Sequence, residues 1–374
     1  MTVANLNTTP KHKVIKQAVN VLKAGGLIIY PTETVYGLGV DATNQEAVNK
    51  LLQFKARREG KPLSIAVSDE VMAKKYVKLN EQAKNLYQQF LPGPVTVVSE
   101  GRQRVAQGVE SEFGTLGMRI PDYPLVIEIV RALGKPITAT SANASGKPRP
   151  YDVETIFKYT SKKQQTLIDL VLDAGKLPKN PPSTVIDTTL STPVVMRGGE
   201  VNPSLTTGQD QRQDKNLNQP SSLELITHST IETQGLAGRL LLKHWQDLNK
   251  TGLVFALDGP LGAGKTTFAQ GLAKYLGIHE PIVSPTYTYM QEYDWQKHEA
   301  YGKLHHLDLW RVDDPRLLER LEINQLIKPY NLVVVEWWQQ GAQVLKPIIK
   351  AKKVKLVEAK LEDVGDERRK VVIK

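Results

Sequence analysis

The sequence contains no cysteine among its 374 residues. This absence excludes disulfides, thiolate zinc sites, iron–sulfur clusters and cysteine nucleophiles. Aromatic residues are few, at 6%, and no apolar run approaches the roughly 20 residues that span a bilayer. The polar start, residues 1–13, does not match a signal peptide. We therefore expect a cytoplasmic protein without membrane association, long enough for two domains.

The seven histidines do not replace the missing thiolates, because His305 and His306 are adjacent and would point to opposite faces of a strand. The net charge is +10. Residues 1–210 hold 26 basic and 19 acidic residues, and the remainder holds 23 and 20. A basic excess fits polyanionic ligands such as nucleotides or RNA, and equally fits a charge that only serves solubility.

Residues 259–267, Gly-Pro-Leu-Gly-Ala-Gly-Lys-Thr-Thr, have the spacing of a phosphate-binding P-loop. The glycines let the backbone wrap a phosphate, the lysine reaches its oxygens, and the hydroxyl helps to hold Mg²⁺. An apolar strand is predicted before the loop (253–257), and a helix with a glycine stop is predicted after it (267–277). We predict that ATP is bound by Gly259, Gly262, Ala263, Gly264, Lys265, Thr266 and Thr267.

A polar tract separates two halves of the chain. Residues 201–222 are rich in Asn, Gln, Ser, Thr and Pro and could not bury a core. We predict domains over 1–200 and 223–374 joined by this linker. After residue 346, Val, Ile and Leu alternate with charged residues, which predicts closing strands of the second domain.

The first half opens with a predicted helix (11–24) and an apolar strand (27–30) that leads into Pro-Thr-Glu-Thr-Val-Tyr-Gly-Leu-Gly at 31–39. Such a segment suits a substrate pocket or a plain surface turn. Four cations within 55–61 precede another predicted strand; they could neutralise a triphosphate or form a solvated basic loop. Hydroxyls and an amide gather at 138–145, where they suit ligand oxygens or the turn's own backbone.

Taken together, residues 11–200 resemble the YrdC-like threonylcarbamoyl-AMP synthase family. The resemblance lies in the 31–39 segment, Lys-x-Arg at 55–57, Lys-Pro-Leu at 61–63, Pro-Gly-Pro-Val-Thr at 92–96, Arg-Ile-Pro at 119–121, Ser-x-Asn at 141–143, Ser-Thr-Val-Ile-Asp at 183–187 and Arg-Gly-Gly at 197–199. It implies a twisted open α/β fold with a concave basic cavity. It also implies that L-threonine, bicarbonate and ATP give L-threonylcarbamoyl-AMP and pyrophosphate.

The same resemblance implies the residue roles in this half. Threonine and carbamate would be bound by Thr34, Arg119, Thr140 and Ser183. ATP and the transition state would be held by Lys55, Arg57, Lys61, Ser141, Asn143 and Arg197. Lys55 and Arg57 are the strongest catalytic candidates, because two anionic reactants must be brought together by fixed cations.

Residues 223–374 resemble the TsaE family of P-loop ATPases. Beyond the P-loop, the resemblance includes Ser-Pro-Thr-Tyr-Thr at 284–288, His-His-Leu-Asp-Leu-Trp-Arg at 305–311 and the strand 332–337. It implies a P-loop NTPase-like α/β domain in which Glu336 faces the Mg²⁺ held by Thr266, and Asp308 positions the metal or water. Alternatively, Asp308 is a strand-edge turn residue and Glu336 an ordinary strand terminator. Trp338 and Trp310 depart from the family pattern, which puts loop geometry and partner contacts in question.

The two resemblances predict a fusion of a synthase and an accessory ATPase in tRNA threonylcarbamoyladenosine biosynthesis, using ATP at both sites and Mg²⁺. The chain lacks the transferase, so a TsaD-type protein with its companion subunit, and through them tRNA, are the expected partners. An alternative is an RNA-binding YrdC-like module tethered to an ATPase. A carbamoyl-adenylating domain of hydrogenase maturation is a third reading, which the missing cysteine-rich modules disfavour. The aromatic segment 287–295 is interpreted as core packing or as a partner or RNA surface.

Overall fold

The structure is a computed structural model that describes residues 1–55, 62–144, 147–190, 193–199, 201, 223–297, 299–312, 318 and 321–374. The chain forms two compact units: Met1–Thr189 with Pro193–Gly208, and Leu190–Thr192 with Gln209–Lys374. The domain bounds and the linker inferred from the sequence stay predictions. Arg57 and Lys61 lie outside the described residues.

Both units are built from α-helices and β-strands. The helices are α1 (Lys11–Lys23), α2 (Gln45–Lys55), α3 (Glu70–Tyr76), α4 (Glu81–Phe90), α5 (Pro124–Leu133), α6 (Val153–Lys158), α7 (Lys162–Gln165), α8 (Thr230–Lys243), α9 (Trp245–Thr251), α10 (Lys265–Leu276), α11 (Ile323–Leu326) and α12 (Trp338–Ala351). The strands are β1 (Thr2–Asn5), β2 (Ile28–Tyr30), β3 (Gly37–Gly39), β4 (Ser64–Ala66), β5 (Val77–Lys78), β6 (Val95–Gly101), β7 (Thr115–Arg119), β8 (Ile137–Thr138), β9 (Thr140–Ser141), β10 (Leu170–Asp173), β11 (Thr184–Asp187), β12 (Val194–Arg197), β13 (Leu223–Thr227), β14 (Leu253–Asp258), β15 (Met290–Lys297), β16 (Ala300–Asp308), β17 (Leu332–Glu336), β18 (Lys355–Asp363) and β19 (Arg369–Ile373). The α/β class predicted from the sequence is confirmed.

The first unit contains two mixed sheets. One has the order β1-β10-β2-β3-β9; the other runs β12-β11-β6-β7-β4-β8, with β5 paired to β6. Side chains from both sheets and from α1, α2 and α5 share one core, including Leu22, Leu38, Leu51 and Val130, which are fully buried. Strand β3 pairs with β9 in the first sheet, and β4 pairs with β7 in the second; these short strands carry residues of the polar motifs.

The second unit is one seven-stranded sheet of order β13-β19-β18-β14-β17-β16-β15. Strands β16, β17, β14 and β18 are mutually parallel. Buried on both faces, β14 and β17 read as continuous apolar runs, which explains why the sequence predicted them. Their carboxyl ends meet at one edge, where Asp258, Asp308 and Glu336 lie. Parallel sheets of this kind bind ligands at that edge.

Local chemistry fixes the helix ends. The side chain of Asp69 accepts the N–H of Met72 at the start of α3, and that of Ser229 accepts the N–H of Glu232 at the start of α8. Gly277 ends α10 in the left-handed region, at φ 81°. The glycine stop predicted for this helix is therefore confirmed.

Candidate active sites

The first unit holds a cavity of about 1300 Å³, including its open mouth. It lies where β2, β3 and β9 of one sheet face β4, β6, β7 and β11 of the other. Of the residues predicted to bind substrate, the cavity is lined by Thr34, Arg119, Thr140, Ser141, Ser183 and Arg197. The two sheets thus gather groups that are as much as 163 positions apart in the sequence.

Arg119, Arg149 and Arg197 all line this cavity, whose described lining residues include no carboxylate. The Nη2 of Arg197 donates to the carbonyl oxygen of Ser183 at 2.9 Å and to its Oγ at 3.0 Å. Burial lowers the pKa of Arg197, and the charges of Arg119 and Arg149 lower it further. An anion in the cavity would offset both effects.

One of these three arginines, Arg119, is paired with a carboxylate. Arg119 forms an ion pair with Glu33, and both side chains are nearly inaccessible, at 10% and 15% exposure. The Nε of Arg119 and the Oε2 of Glu33 are buried without a hydrogen-bond partner in the described part of the chain. The pair therefore fixes the guanidinium but leaves hydrogen-bonding capacity unused.

The 31–39 segment is a buried turn, so the interpretation as a plain surface turn was wrong. Thr32 and Thr34 are 5% and 2% exposed. The Oγ1 of Thr32 accepts the N–H groups of Thr34 and Val35, each at 3.2 Å, and donates to the carbonyl oxygen of Val35 at 2.6 Å. Thr32 thus stabilises the turn, and the Thr34 side chain lines the cavity.

Lys55 and Asn143 serve the loop after β9 rather than the cavity surface. The Nζ of Lys55 donates to the carbonyl oxygens of Ser141 (2.8 Å) and Asn143 (2.6 Å). The Nδ2 of Asn143 donates to the carbonyl oxygens of Lys147 and Pro148, and its Oδ1 accepts the Ser141 hydroxyl at 2.6 Å. Neither residue is among the described residues that line the cavity. Here the polar cluster satisfies the turn's own backbone, an alternative left open by the sequence.

The second cavity, of about 750 Å³, lies over the P-loop. Its lining includes the predicted residues Gly262, Gly264, Lys265, Thr266, Thr267, Asp308 and Glu336. The other two predicted P-loop residues frame the loop: Gly259 has φ 141° and Ala263 is fully buried. The Nζ of Lys265 donates to the carbonyl oxygens of Gly259 (2.7 Å) and Pro260 (2.8 Å).

Burial lowers the pKa of Lys265, whereas the carboxylates of Glu336, Asp308 and Asp258 act in the opposite direction. The ammonium also lies 3.7 Å from the ring centroid of Trp337. A partly desolvated cation over a P-loop is suited to binding phosphate oxygens. Their negative charge would raise the pKa of Lys265, which burial lowers.

Glu336 ends β17 between two partners. Its Oε2 accepts the Thr266 hydroxyl at 3.2 Å, and its Oε1 lies 2.8 Å from Nε2 of His306. Both Glu336 and His306 are buried, at 2% and 0% exposure. Glu336 is thus part of a buried polar chain aimed at the P-loop, which an ordinary strand terminator would not be.

Asp308 ends β16 and orders the neighbouring loop. Its Oδ2 accepts the hydroxyls of Ser284 and Thr286, the latter at 3.1 Å, and its Oδ1 accepts the N–H of Trp310 at 2.9 Å. The loop at 284–288 is therefore tied directly to the strand edge. Asp308 therefore both stabilises the turn after β16 and lines the P-loop cavity.

Two arginines in these cavities carry no local sequence signal: Arg149 lies in the first cavity and Arg369 in the second. Trp337, within the 332–337 segment but without a predicted role, also lines the second cavity. Arg369 starts β19, far along the chain, and its Nε is buried without a partner in the described residues. A Cβ atom on Gly264, which has φ 94°, would lie 2.8 Å from that Nε. Only the sheet topology brings this arginine across the P-loop.

Part of the aromatic segment is core packing, and a partner or RNA surface in the rest stays a prediction. Tyr293 and Trp295 are buried, and the Trp295 ring lies 5.8 Å from that of Trp245, so these residues pack. Tyr287 is 82% exposed, next to Arg311. Among the described residues no cluster of three His, Asp or Glu could hold a metal, and no helix in the described ranges has the length and apolarity to cross a membrane.

A cavity lined by arginines and hydroxyls and a second cavity over a P-loop define an α/β protein with two candidate sites for anionic ligands such as nucleotides. A family model for Sua5, YciO and YrdC proteins, described as telomere recombination, matches residues 20–199. A second model, described as threonylcarbamoyl adenosine biosynthesis protein TsaE, matches residues 227–371. The first covers the arginine-lined cavity and the second covers the P-loop.

Curated relatives agree with the first match. A putative threonylcarbamoyl-AMP synthase from Methanocaldococcus jannaschii is 36% identical over 184 residues, which are 49% of this chain and 84% of that protein. The threonylcarbamoyl-AMP synthase of Bacillus subtilis is 34% identical over 193 residues, 50% of this chain but only 54% of its own length. The chain therefore belongs to the threonylcarbamoyl-AMP synthase family, and joins such a domain to a TsaE-family P-loop ATPase domain.

Solved structures show the same fold. Sua5 from Pyrococcus abyssi, crystallised with L-threonine, is 20% identical, with a TM-score of 0.50, covering 96% of this chain and 99% of that one. A variant of the same protein gives a TM-score of 0.52 at 22% identity. Because the identity is low, these structures support the fold alone.

Proposed function

We propose that the first domain makes L-threonylcarbamoyl-AMP from L-threonine, bicarbonate and ATP. The observation that carries this proposal is the convergence of Arg119, Arg149 and Arg197 on a cavity without lining carboxylates among the described residues. The amine of threonine and bicarbonate give a carbamate and water; a carbamate oxygen then attacks the α-phosphorus of ATP, and pyrophosphate leaves. Both reactants are anions, so fixed cations must offset their repulsion.

In this proposal the residues divide by position. Thr34, Thr140 and Ser183 offer hydroxyls to threonine and carbamate beside the guanidinium of Arg119, and Arg197 faces the phosphates. Because Lys55 donates to two loop carbonyls, we assign it a positioning role for the Ser141–Asn143 loop. Arg57 and Lys61 remain proposed phosphate contacts by their place in the motif.

We propose that the second domain binds and hydrolyses ATP. The P-loop backbone and Lys265 would hold the β- and γ-phosphates, and Arg369 would contact the nucleotide from the opposite wall of the cavity. Asp308, through Ser284 and Thr286, would couple the γ-phosphate to the 284–288 loop. This use of the loop rests on the hydrogen bonds that Asp308 accepts from both hydroxyls.

Mg²⁺ fits the donors at this site. Thr266 and Glu336 place a hydroxyl and a carboxylate oxygen 3.2 Å apart above the P-loop, and nucleotide-bound Mg²⁺ typically takes one or two protein oxygens plus phosphate oxygens. When bound, the ion would neutralise charge on the β- and γ-phosphates. His306 would keep Glu336 oriented toward Thr266.

The proposed partners follow from the family match of the second domain. We infer that the ATPase domain acts on a TsaD-type transferase with its companion subunit, which moves the threonylcarbamoyl group to a tRNA adenosine. The synthase domain, held on the same chain, would supply the intermediate locally.

The first experiment incubates the purified chain with L-threonine, bicarbonate, Mg²⁺ and ATP, and follows threonylcarbamoyl-AMP, AMP, pyrophosphate and ADP by mass spectrometry. Lys265→Ala is the comparison, because it removes the P-loop cation and leaves the first cavity intact. We expect threonine-dependent threonylcarbamoyl-AMP from both proteins, and ADP only from the unchanged chain.

Threonine-independent ADP alone, abolished by Lys265→Ala, would contradict the synthase proposal and favour an RNA-binding role for the first domain. Loss of threonylcarbamoyl-AMP in Lys265→Ala would contradict the assignment of separate chemistry to the two sites.

A further inference from the structure

In the second domain, lysines cluster at the amino ends of the parallel strands, the end of the sheet opposite the P-loop. The parallel strands β14, β17 and β18 begin there and end at the ATP cavity. Seven exposed lysines lie in the segments that precede these strands or, for Lys355, at the first position of β18: Lys243, Lys250, Lys328, Lys350, Lys352, Lys353 and Lys355. We call this set the lysine edge.

Three separate segments form the lysine edge, and direct contacts hold them together. The N–H of Tyr330 donates to the carbonyl oxygen of Leu248 at 2.8 Å, which joins the loop before β17 to α9. The Nζ of Lys352 donates to the carbonyl oxygen of Ile327 at 3.0 Å, which joins the end of α12 to the same loop. The lysines therefore share one surface although they span more than 100 positions of sequence.

The charge of this surface is not neutralised internally. None of the seven lysines forms an ion pair with a carboxylate in the described ranges. Lys243 is exposed as a whole residue, yet partial burial lowers its pKa and the charge of Lys355 lowers this pKa further. Burial also lowers the pKa of His244, and the charges of Lys355 and Lys243 act in the same direction. Asp247 is engaged by His244 at 3.0 Å. The remaining field is positive and attracts an anion.

The chemistry of the surface selects among polyanions. Of the large exposed apolar side chains of this domain, Leu261 and Trp310 line the P-loop cavity, whereas Tyr301 lies at the start of β16, next to the loop before β17. One exposed aromatic ring beside lysines is suited to stacking on a base of single-stranded RNA. Protein interfaces depend on aromatic or apolar anchors, and membrane-surface helices need an apolar face. Contact with a nucleic-acid backbone needs only lysine and arginine at phosphate spacing.

We propose that the lysine edge binds the phosphate backbone of RNA, and does so independently of sequence. Because it lies at the opposite end of the strands from the ATP cavity, RNA and ATP would bind together without overlap. The proposal goes beyond the function proposed above and does not depend on synthase activity in the first domain.

The test measures binding of a fluorescent tRNA transcript to the full chain by anisotropy, from about 50 to about 250 mM salt, a range of roughly 0.7 decimal logarithm units over which the salt slope is determined. Lys328→Gln/Lys355→Gln removes two charges from different segments of the lysine edge. The control, Lys360→Gln/Lys370→Gln, removes two charges from lysines that pair with Glu362 and Glu224. Both double variants have the same net charge.

We expect the lysine-edge variant to bind tRNA about tenfold more weakly and to lose between one and two units of the logarithmic salt slope. The control should stay within about twofold of the unchanged chain, and threonylcarbamoyl-AMP synthesis should be the same in all three proteins. Equal affinity of both double variants for tRNA would overturn the proposal. The same result is expected if the lysine edge binds an acidic protein surface instead of RNA. If the expected difference in tRNA affinity is found but none of the three proteins makes threonylcarbamoyl-AMP, only the function proposed for the first domain is contradicted.

Discussion

At the scale of the residue, the Glu33–Arg119 pair combines a structural and a proposed catalytic role. Breaking a buried ion pair from one side leaves the other charge uncompensated, which costs more than the pair itself contributes. Both side chains are nearly inaccessible, so solvent cannot make up the loss. The consequences of removing one partner or both should therefore differ.

We expect Arg119→Ala to lower the free energy of unfolding by about 3 kcal/mol and threonylcarbamoyl-AMP synthesis by at least about 100-fold. The double variant Glu33→Gln/Arg119→Gln should regain most of the stability but not the activity, because no buried charge is left and no cation faces the substrates. Chemical denaturation and the mass-spectrometric assay measure the two effects. Recovery of activity in the double variant would show that Arg119 acts only through the fold.

Arg369 and Arg368 offer a matched pair in the second domain. Arg369 lines the P-loop cavity, whereas the neighbouring Arg368 lies on the surface and pairs with Asp366 at 3.1 Å. We expect Arg369→Gln to reduce ATP affinity or kcat/KM at least about tenfold, the equivalent of one charged hydrogen bond, and Arg368→Gln to change it less than about twofold. Displacement of a fluorescent nucleotide and ADP release are the measurements. Similar values for the two variants would remove Arg369 from the nucleotide site.

At the scale of the element, strand β12 depends on how closely its end lies on β11. A Cβ atom on Gly199 would lie 2.1 Å from the carbonyl oxygen of Pro182 and 2.5 Å from the N of Thr184, whereas one on Gly198 would meet nothing within 4 Å. The atoms near Gly199 belong to the backbone, so they cannot turn aside as a side chain would. This contact holds Arg197 beside Ser183.

We expect Gly199→Ala to destabilise the first domain by about 1–3 kcal/mol and to lower threonylcarbamoyl-AMP synthesis, while Gly198→Ala changes both little. Thermal unfolding and the synthesis assay compare the adjacent substitutions directly. A neutral Gly199→Ala would mean that β12 can shift without disturbing Arg197.

The elements also show how far sequence reasoning reaches. The predicted helix at 11–24 and the strands at 253–257 and 332–337 correspond to α1, β14 and β17, because apolar periodicity and glycine stops are local signals. The motifs located the cavities, since a P-loop and the 31–39 segment each carry a local pattern. Arg149, in the loop after β9, and Arg369, at the start of β19, were missed because the tertiary fold and not a local pattern brings them to the sites. The turn role of Asn143 depends on hydrogen bonds that a sequence leaves open.

At the scale of the whole molecule, one chain carries two candidate sites, and they are built from separate sheets. The described residues that line each cavity belong to one unit, and we expect each proposed reaction to proceed without the other unit. An advantage of the fusion would then lie in delivery. In the proposed function, covalent linkage would make the encounter of the synthase with a complex bound to the ATPase domain intramolecular, at an effective concentration in about the millimolar range.

A protease recognition sequence placed within the predicted linker, residues 209–218, tests this argument on one protein before and after cutting. We expect threonylcarbamoyl-AMP synthesis and ATP turnover to be unchanged by cleavage, because each cavity keeps its residues. With a TsaD-type transferase, its companion subunit and tRNA at submicromolar concentration, modification of tRNA should fall several-fold after cleavage, and raising the protein concentration should restore it. The same chain without the recognition sequence, treated with the protease, is the control. Unchanged modification at every concentration would mean that the tether does not serve delivery, whereas loss of either basal activity on cutting would contradict the independence of the two sites.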